Sequence, residues 1–283
     1  MKEVFGFDCY SPKEIAERVE NIGVTKANLP LLSQVALGVL AGGFIGLGAM
    51  FFTLVVSDGG LSFALGRVLG GVAFSLGLIL VVVAGAELFT GNNLLVMATV
   101  AGRIPASRFL QNMIVIYVAN LIGALGLAGL VALSGHWQMN GSAVGKTALS
   151  IAAAKCALPW GEAFFKGVLC NVLVGLAVWL AMAGRTVTDK VLAIVFPIAA
   201  FVACGFEHSV ANMYFIPLGV FLREQCVSSG AAHLDALNWF GLARNLFPVT
   251  LGNLLGGAGM VGLVYWVIYR RGATGSLPTS LPK

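Results

Sequence analysis

Two isolated glutamates constrain this chain more than any other feature of it. Glu87 follows the uncharged stretch 68–86 and precedes a second one, 88–102; Glu207 sits in the same way between 191–206 and 208–222. Four further stretches carry no Asp, Glu, Lys or Arg: 27–57, 109–145, 167–184 and 245–269. A spanning helix needs about 20 predominantly apolar residues, so the pattern predicts an all-α integral membrane fold. It has six transmembrane segments, the second and fifth broken at Glu87 and Glu207. Composition agrees: only 10% of the 283 residues are charged, against about 25% in an ordinary soluble domain, too few to cover a soluble core. Intrinsic disorder, a nucleic-acid-binding domain and a disulfide-stapled secreted module are excluded with it. The net charge of +5 is no basic patch, because its 17 basic and 12 acidic residues are scattered at segment ends.

The two breaks belong to an internal repeat. Gly85-Ala86-Glu87 with Asn92 aligns with Gly205-Phe206-Glu207 and Asn212 at an offset of 120. Leu37-Gly38-Val39-Leu40 with Gly46-Leu47 aligns with Lys166-Gly167-Val168-Leu169 and Gly175-Leu176 at 129. Asn120, Gly123, Gly126 and Gly129-Leu130-Val131 align with Asn253, Gly256, Gly259 and Gly262-Leu263-Val264 at 133. One match falls in each span of a three-span unit. With an odd number of spans the second copy enters from the opposite face, giving an inverted repeat. In such folds the substrate path lies near the midplane, between discontinuous helices at corresponding positions. The pore is therefore expected at 85–92 and 205–212, in one membrane domain (1–283) with repeat one over 31–134 and repeat two over 159–271. Gly38, Gly42 and Gly46 in span one, and Gly252, Gly256 and Gly259 in span six, are spaced to let helix backbones approach closely.

An ionisable group at membrane depth costs on the order of 3 kcal/mol, so Glu87 and Glu207 need partners. The reading favoured here is structural: each carboxylate accepts hydrogen bonds from backbone N–H groups freed at its break, and Asn92 and Asn212 serve the same end. Direct substrate contact is the alternative. His208 is different, because its counterpart is Leu88 and symmetry does not account for it. It is also the one histidine at depth; His136 and His233 lie in polar loop stretches. A lone buried histidine is ordinarily a satisfied core residue, but its position at a repeat-matched break points to a functional role instead. No cofactor or metal is expected, since no His, Cys and carboxylate cluster has ligand spacing and a b-type haem normally takes two axial histidines. The paired Asn-Pro-Ala signatures of an aquaporin are absent from the sequence. Two convergent carboxylates could serve an intramembrane hydrolase, and repeat symmetry leaves Glu87 and Glu207 as such a pair, a remote enzyme alternative to a non-enzymatic channel.

Lys and Arg counts set the orientation. The N-terminal stretch, the loops holding Arg103 with Arg108 and Arg185 with Lys190, and the C-terminal stretch carry eleven, whereas Arg67, Lys146, Lys155, Lys166, Arg223 and Arg244 make six on the other side. The positive-inside rule then makes both termini cytoplasmic. Acidic and basic residues precede the first long apolar stretch, so no cleavable signal peptide is expected. Ser11-Pro12-Lys13-Glu14 has capping-box spacing with Pro at the first helical position. With Ile15, Val19 and Ile22 following, it predicts an amphipathic helix within 1–30 at the cytoplasmic face. The tail 272–283 is expected to be disordered. Cys9, Cys156, Cys170, Cys204 and Cys226 read as small core hydrophobes.

Phe74-Ser75-Leu76-Gly77-Leu78, Gly85-Ala86-Glu87-Leu88-Phe89-Thr90-Gly91, Phe165-Lys166-Gly167 to Cys170-Asn171, and Gly205-Phe206-Glu207-His208-Ser209-Val210-Ala211-Asn212-Met213 closely resemble the formate-nitrite transporter family. The likeness runs from about residue 11 to 271. It implies an aquaporin-like fold in the bacterial inner membrane, a homopentamer with one pore per protomer, and a small anion as substrate. Formate is expected, with nitrite or hydrosulfide as the alternative and acetate or lactate as further permeants; Thr90-Gly91 resembles the nitrite members. By the family pattern His208 and Thr90 lie between two apolar constrictions. Leu78, Leu88 and Phe89 would form the cytoplasmic one; Phe74, Val174 and Phe201 would form the periplasmic one. Lys155 and Asn171 would draw anions into the periplasmic vestibule, the segment around Thr90 would be mobile, and the N-terminal helix could gate it.

Overall fold

The computed structural model describes residues 9–226 and 232–271 of the chain. All the regular secondary structure among those residues is helical. After α1 (Pro12–Ala27) come α2 (Leu31–Val56) and α3 (Phe63–Ile79), which continues as a π-helical turn over Leu80–Gly85. The chain then breaks and resumes as α4 (Phe89–Asn92), a 3-10 turn and α5 (Val96–Val100), followed by α6 (Ala106–Leu133). The second half runs α7 (Ala143–Ala157), α8 (Trp160–Ala183), α9 (Val187–Ala203), a break, α10 (Ser209–Leu222), and α11 (Trp239–Leu254), which passes through a π segment into α12 (Val264–Tyr269). Among the described residues, five helical segments are long and apolar enough to cross a membrane. The remaining crossing is shared by α9 and α10, of 17 and 14 residues.

Glycine sets both breaks. Gly85 and Gly205 have φ of +82° and +73°, the left-handed region that a Cβ disfavours. The amide two residues into each turn reaches back, Ala86 N to Val81 O at 2.9 Å and Phe206 N to Phe201 O at 3.0 Å, closing the helix as a C-terminal cap does. The glycines read as packing residues behave so. A methyl at Gly42 would fall on the Asn120 carbonyl oxygen, and at Gly252 or Gly256 on the carbonyl oxygens of Phe164 or Val168. Gly259 is the exception, meeting only a leucine side chain of its own segment. These contacts lock α2 onto α6 and α8 onto α11. The broken helices α3 and α9 meet across the pseudo-two-fold, with Ser75 Oγ donating to Val195 O at 3.3 Å.

The repeat is larger than its sequence matches. α1 and α7 occupy equivalent places, with Ile22 and Lys26 matching Ile151 and Lys155 at an offset of 129. The Ser11–Glu14 capping box forms, with Ser11 N donating to Glu14 Oε2 at 2.8 Å. Yet α1 is no plain surface helix. Ile15, Ala16, Val19, Glu20, Gly23 and Ala27 are buried, and the Glu20 carboxylate, 1% exposed, pairs with Arg103 at 3.1 Å and Arg270 at 2.9 Å. These contacts tie α1 to the end of α12, so both described ends of the chain share one face, here the terminal face. Cys156, Cys170 and Cys226 are buried, but Cys9 and Cys204 are exposed, correcting the expectation for those two: each flanks a helix end. The tail 272–283 lies outside the described residues.

Candidate functional site

At each break one asparagine takes over the bonds the helix gives up. Asn120 of α6 donates to Gly38 O at 2.8 Å and Glu87 O at 2.9 Å, and accepts from Phe89 N at 2.9 Å. Asn253 of α11 repeats the pattern with Gly167 O at 2.8 Å, Glu207 O at 3.0 Å and Ser209 N at 2.9 Å. Backbone polar groups at membrane depth need such partners. The sequence alignment had paired these asparagines without showing their task.

The glutamates are held by side chains rather than by the freed backbone N–H groups, a correction to the expected partners. Glu87 receives Asn92 Nδ2 at 2.7 Å and Lys26 Nζ at 3.1 Å; Glu207 receives Asn212 Nδ2 at 2.6 Å and Lys155 Nζ at 2.8 Å. Each asparagine also donates to a further one, Asn92 to Asn112 at 3.0 Å and Asn212 to Asn245 at 2.7 Å. Lys26, Asn112 and Asn245 escaped the sequence reading. The 129 offset that matched the first spans would have found Lys26 opposite Lys155. Two cavities penetrate from opposite faces and share no lining residue. One of about 280 Å³ on the terminal face holds Lys26, Glu87, Asn92, Leu78 and Leu88, and one of about 250 Å³ on the other face holds Lys155, Glu207, Asn212, Phe74, Phe201 and His208. Glu87 and Glu207 therefore do not converge, and the carboxylate pair that an intramembrane hydrolase would need is not assembled.

Between the cavities lies a closed layer. Phe74 and Phe201 meet edge to face at 5.6 Å, and Phe201 stacks on His208 at 5.9 Å. Leu78 and Leu88 are each 2% exposed and line the terminal cavity; Val174 is buried too, but lines neither cavity. Within this layer Thr90 Oγ1 is 2.9 Å from His208 Nε2. Ala211 N donates to His208 Nδ1 at 3.0 Å, so the partners assign the lone pair to Nδ1 and the neutral ring's proton to Nε2. His208 then donates to Thr90, whose own hydroxyl proton is left to point at whatever enters.

Two residues stand elsewhere than expected. Phe89 lines neither cavity; its ring packs edge-on against Tyr117 of α6 at 4.9 Å. Asn171 is fully buried, outside the vestibule, donating to Asn253 O at 2.7 Å and Thr90 O at 3.3 Å. The π winding of 255–263 shapes that niche, since a methyl at Gly257 would fall on the Asn171 amide nitrogen. Asn93 adds a second amide, donating to the Thr90 carbonyl at 3.2 Å. The threonine is thus held through its backbone while its hydroxyl faces His208.

Residues 13–267 match the formate/nitrite transporter family. The chain is 40% identical to the formate channel FocA of Escherichia coli strain K12, over 96% of this chain and 98% of that one. It is 38% identical to a probable formate transporter of Methanothermobacter thermautotrophicus, over 92% and 97%. A solved structure described as a pentameric formate channel with formate bound superposes with a TM-score of 0.79 at 37% identity, covering 84% of this chain and 97% of that one.

Proposed function

This chain belongs to the formate/nitrite transporter family, and from that premise we propose that it is a multi-pass membrane channel for formate and related small monovalent anions. The observation that carries the reading is the Thr90–His208 pair, 2.9 Å apart and buried between two lysine-bearing cavities. The relatives named above are channels and transporters, which fits a protein without catalysis.

A carboxylate leaving water for an apolar layer loses several kcal/mol of hydration, and its neutral acid loses far less. With a pKa near 4, like that of Asp, only roughly one formate in a thousand is neutral at pH 7. The anion therefore needs a donor at the layer, and the free Thr90 hydroxyl supplies one, polarised by the His208 N–H behind it. A proton placed on Nδ1 would cost the bond from Ala211 N, so the geometry favours a neutral His208 that orients Thr90 over an imidazolium that lends its proton. Flux is passive or proton-linked.

The lysines enrich anions at each mouth, and their carboxylate partners keep the positive charge from trapping them. Asn171 acts by holding Thr90. Phe74, Phe201, Val174, Leu78 and Leu88 form the constrictions. The reading extends to a homopentamer with one pore per protomer in a bacterial inner membrane, supported by the likeness to a pentameric formate channel; the terminal face is assigned to the cytoplasm because that face carries most Lys and Arg. Stopped-flow uptake into proteoliposomes, comparing formate, nitrite, hydrosulfide, acetate and lactate at several pH values, tests this. Formate uptake well above protein-free vesicles is expected, and background rates for all five would refute the channel.

A further inference from the structure

The two mouths differ in charge although their frames match. The terminal cavity is lined by two charged groups, Lys26 and Glu87, which pair at 3.1 Å. The opposite cavity is lined by four: Arg67, Lys155, Lys166 and Glu207. Lys155 is paired with Glu207 at 2.8 Å, and Lys166 with Glu162 at 3.2 Å. Arg67 makes no ion pair among the described residues. Its Nε donates to Ala203 O at 3.0 Å and its Nη2 to Val202 O at 2.6 Å, and its guanidinium lies 5.8 Å from the Phe52 ring. Those carbonyls end the last turn of α9, where a cation is favourable. They fix the position of the guanidinium but leave its full charge uncancelled, and among the described residues Nη1 has no hydrogen-bond partner. The counterpart of Arg67 at an offset of 120 is Val187, so the terminal mouth has no equivalent.

We propose that Arg67 is the anion-capturing group of the opposite vestibule: a guanidinium anchored to the end of α9, unpaired with any carboxylate, that takes a small carboxylate or oxyanion before it meets Phe74 and Phe201. Lys155, the vestibule cation expected from the sequence, has its charge offset by the Glu207 carboxylate at 2.8 Å and attracts anions more weakly than Arg67 does. This inference rests on the anion-channel reading. Arg67 suits the task because a planar fork with two N–H groups already committed still offers donors to a two-oxygen anion. Being partly exposed, its attraction is long-range and falls with ionic strength.

The test uses the full chain in proteoliposomes, with formate as probe and uptake read at low and high ionic strength set by an impermeant salt. Arg67→Gln is expected to slow uptake threefold or more at low ionic strength and less than 1.5-fold at high. Arg67→Lys, which keeps the charge, retains most of the rate, and Lys146→Gln, on an exposed cation of the same face, changes nothing. Wild-type rates for Arg67→Gln at low ionic strength would overturn the proposal. So would equal losses in the Gln and Lys variants without salt dependence, which assign Arg67 to capping α9 alone. Should Arg67→Gln fail to fold, Arg67→Lys decides: near-wild-type, salt-sensitive uptake supports capture, and its loss refutes it. A wild type that conducts no small anion would instead refute the channel reading itself.

Discussion

The break at Glu87 and the break at Glu207 are the same device built twice, and they differ where the chemistry sits. Gly85 and Gly205, Asn92 and Asn212, Asn120 and Asn253, Lys26 and Lys155 make matching contacts. The copies diverge at Leu88 against His208, Val210 against Thr90, Gly42 against Asn171 and Met213 against Asn93. In each of these pairs the polar or larger partner belongs to one cluster around the Thr90–His208 contact. Agreement between the halves therefore marks residues that form the breaks or brace the glutamates within them; disagreement marks residues that meet the substrate or aim the residue that does.

The comparison can be broken most severely at its shared parts. Removing one partner of a buried ion pair typically costs about 3–5 kcal/mol. Lys155→Met is expected near the lower end of that range by thermal unfolding in detergent, because its side chain keeps 15% exposure, and Lys26→Met less, with 27%. Equal costs, or a larger one at Lys26, would show that exposure does not set the difference. Asn120→Ala and Asn253→Ala each strand the same three backbone groups, so both are expected to lose about 2–3 kcal/mol; a difference beyond 1 kcal/mol between them would mean the halves are not mechanically equivalent.

Smaller effects sharpen the asymmetric parts. Phe201 stands where repeat one has Val81, and Phe201→Ala is expected to raise the lactate-to-formate uptake ratio severalfold. An unchanged ratio would remove Phe201 from the filter. The smallest effect lies at the α1 cap. Hydrogen bonds from the Ser11 backbone and hydroxyl hold the exposed Glu14 carboxyl below its usual value of 4.5. A lowered folded-state pKa stabilises above the unfolded value and is lost as pH falls through the folded one. Hydrogen exchange in the first turn of α1 should therefore rise relative to later turns below about pH 4.5, and Glu14→Gln should abolish that step.

The membrane class, the two breaks and the inverted repeat were legible because each depends on local patterning: where charge is missing, where Gly precedes Glu, and which residues recur at fixed offsets. His208 stood out by the same reasoning, since its partner in the repeat is a leucine. What escaped depends on reach through space. Lys26 was counted with the charges that set orientation, because nothing in its neighbourhood shows an ammonium crossing from α1 to Glu87 and Asn92. The kinship of α1 with α7 was hidden because only the residues lining the cavities are kept alike. Asn171 was placed in the vestibule, but the close approach at Gly257 turns its amide onto the Thr90 and Asn253 carbonyls. Phe89 was lost to the constriction because Tyr117 offers its ring a neighbour.

The central claim is that the scaffold is symmetric and the conducting centre is the asymmetric Thr90–His208 pair. His208→Leu makes the second break resemble the first at that position and removes the donor behind Thr90. Formate uptake by proteoliposomes of this variant, measured from pH 5 to 8 beside the wild type, tests the claim most directly. The account predicts a loss of tenfold or more at pH 7 and a steeper rise toward pH 5, as the neutral acid becomes the main permeant. Uptake that matches the wild type in both rate and pH dependence would contradict it.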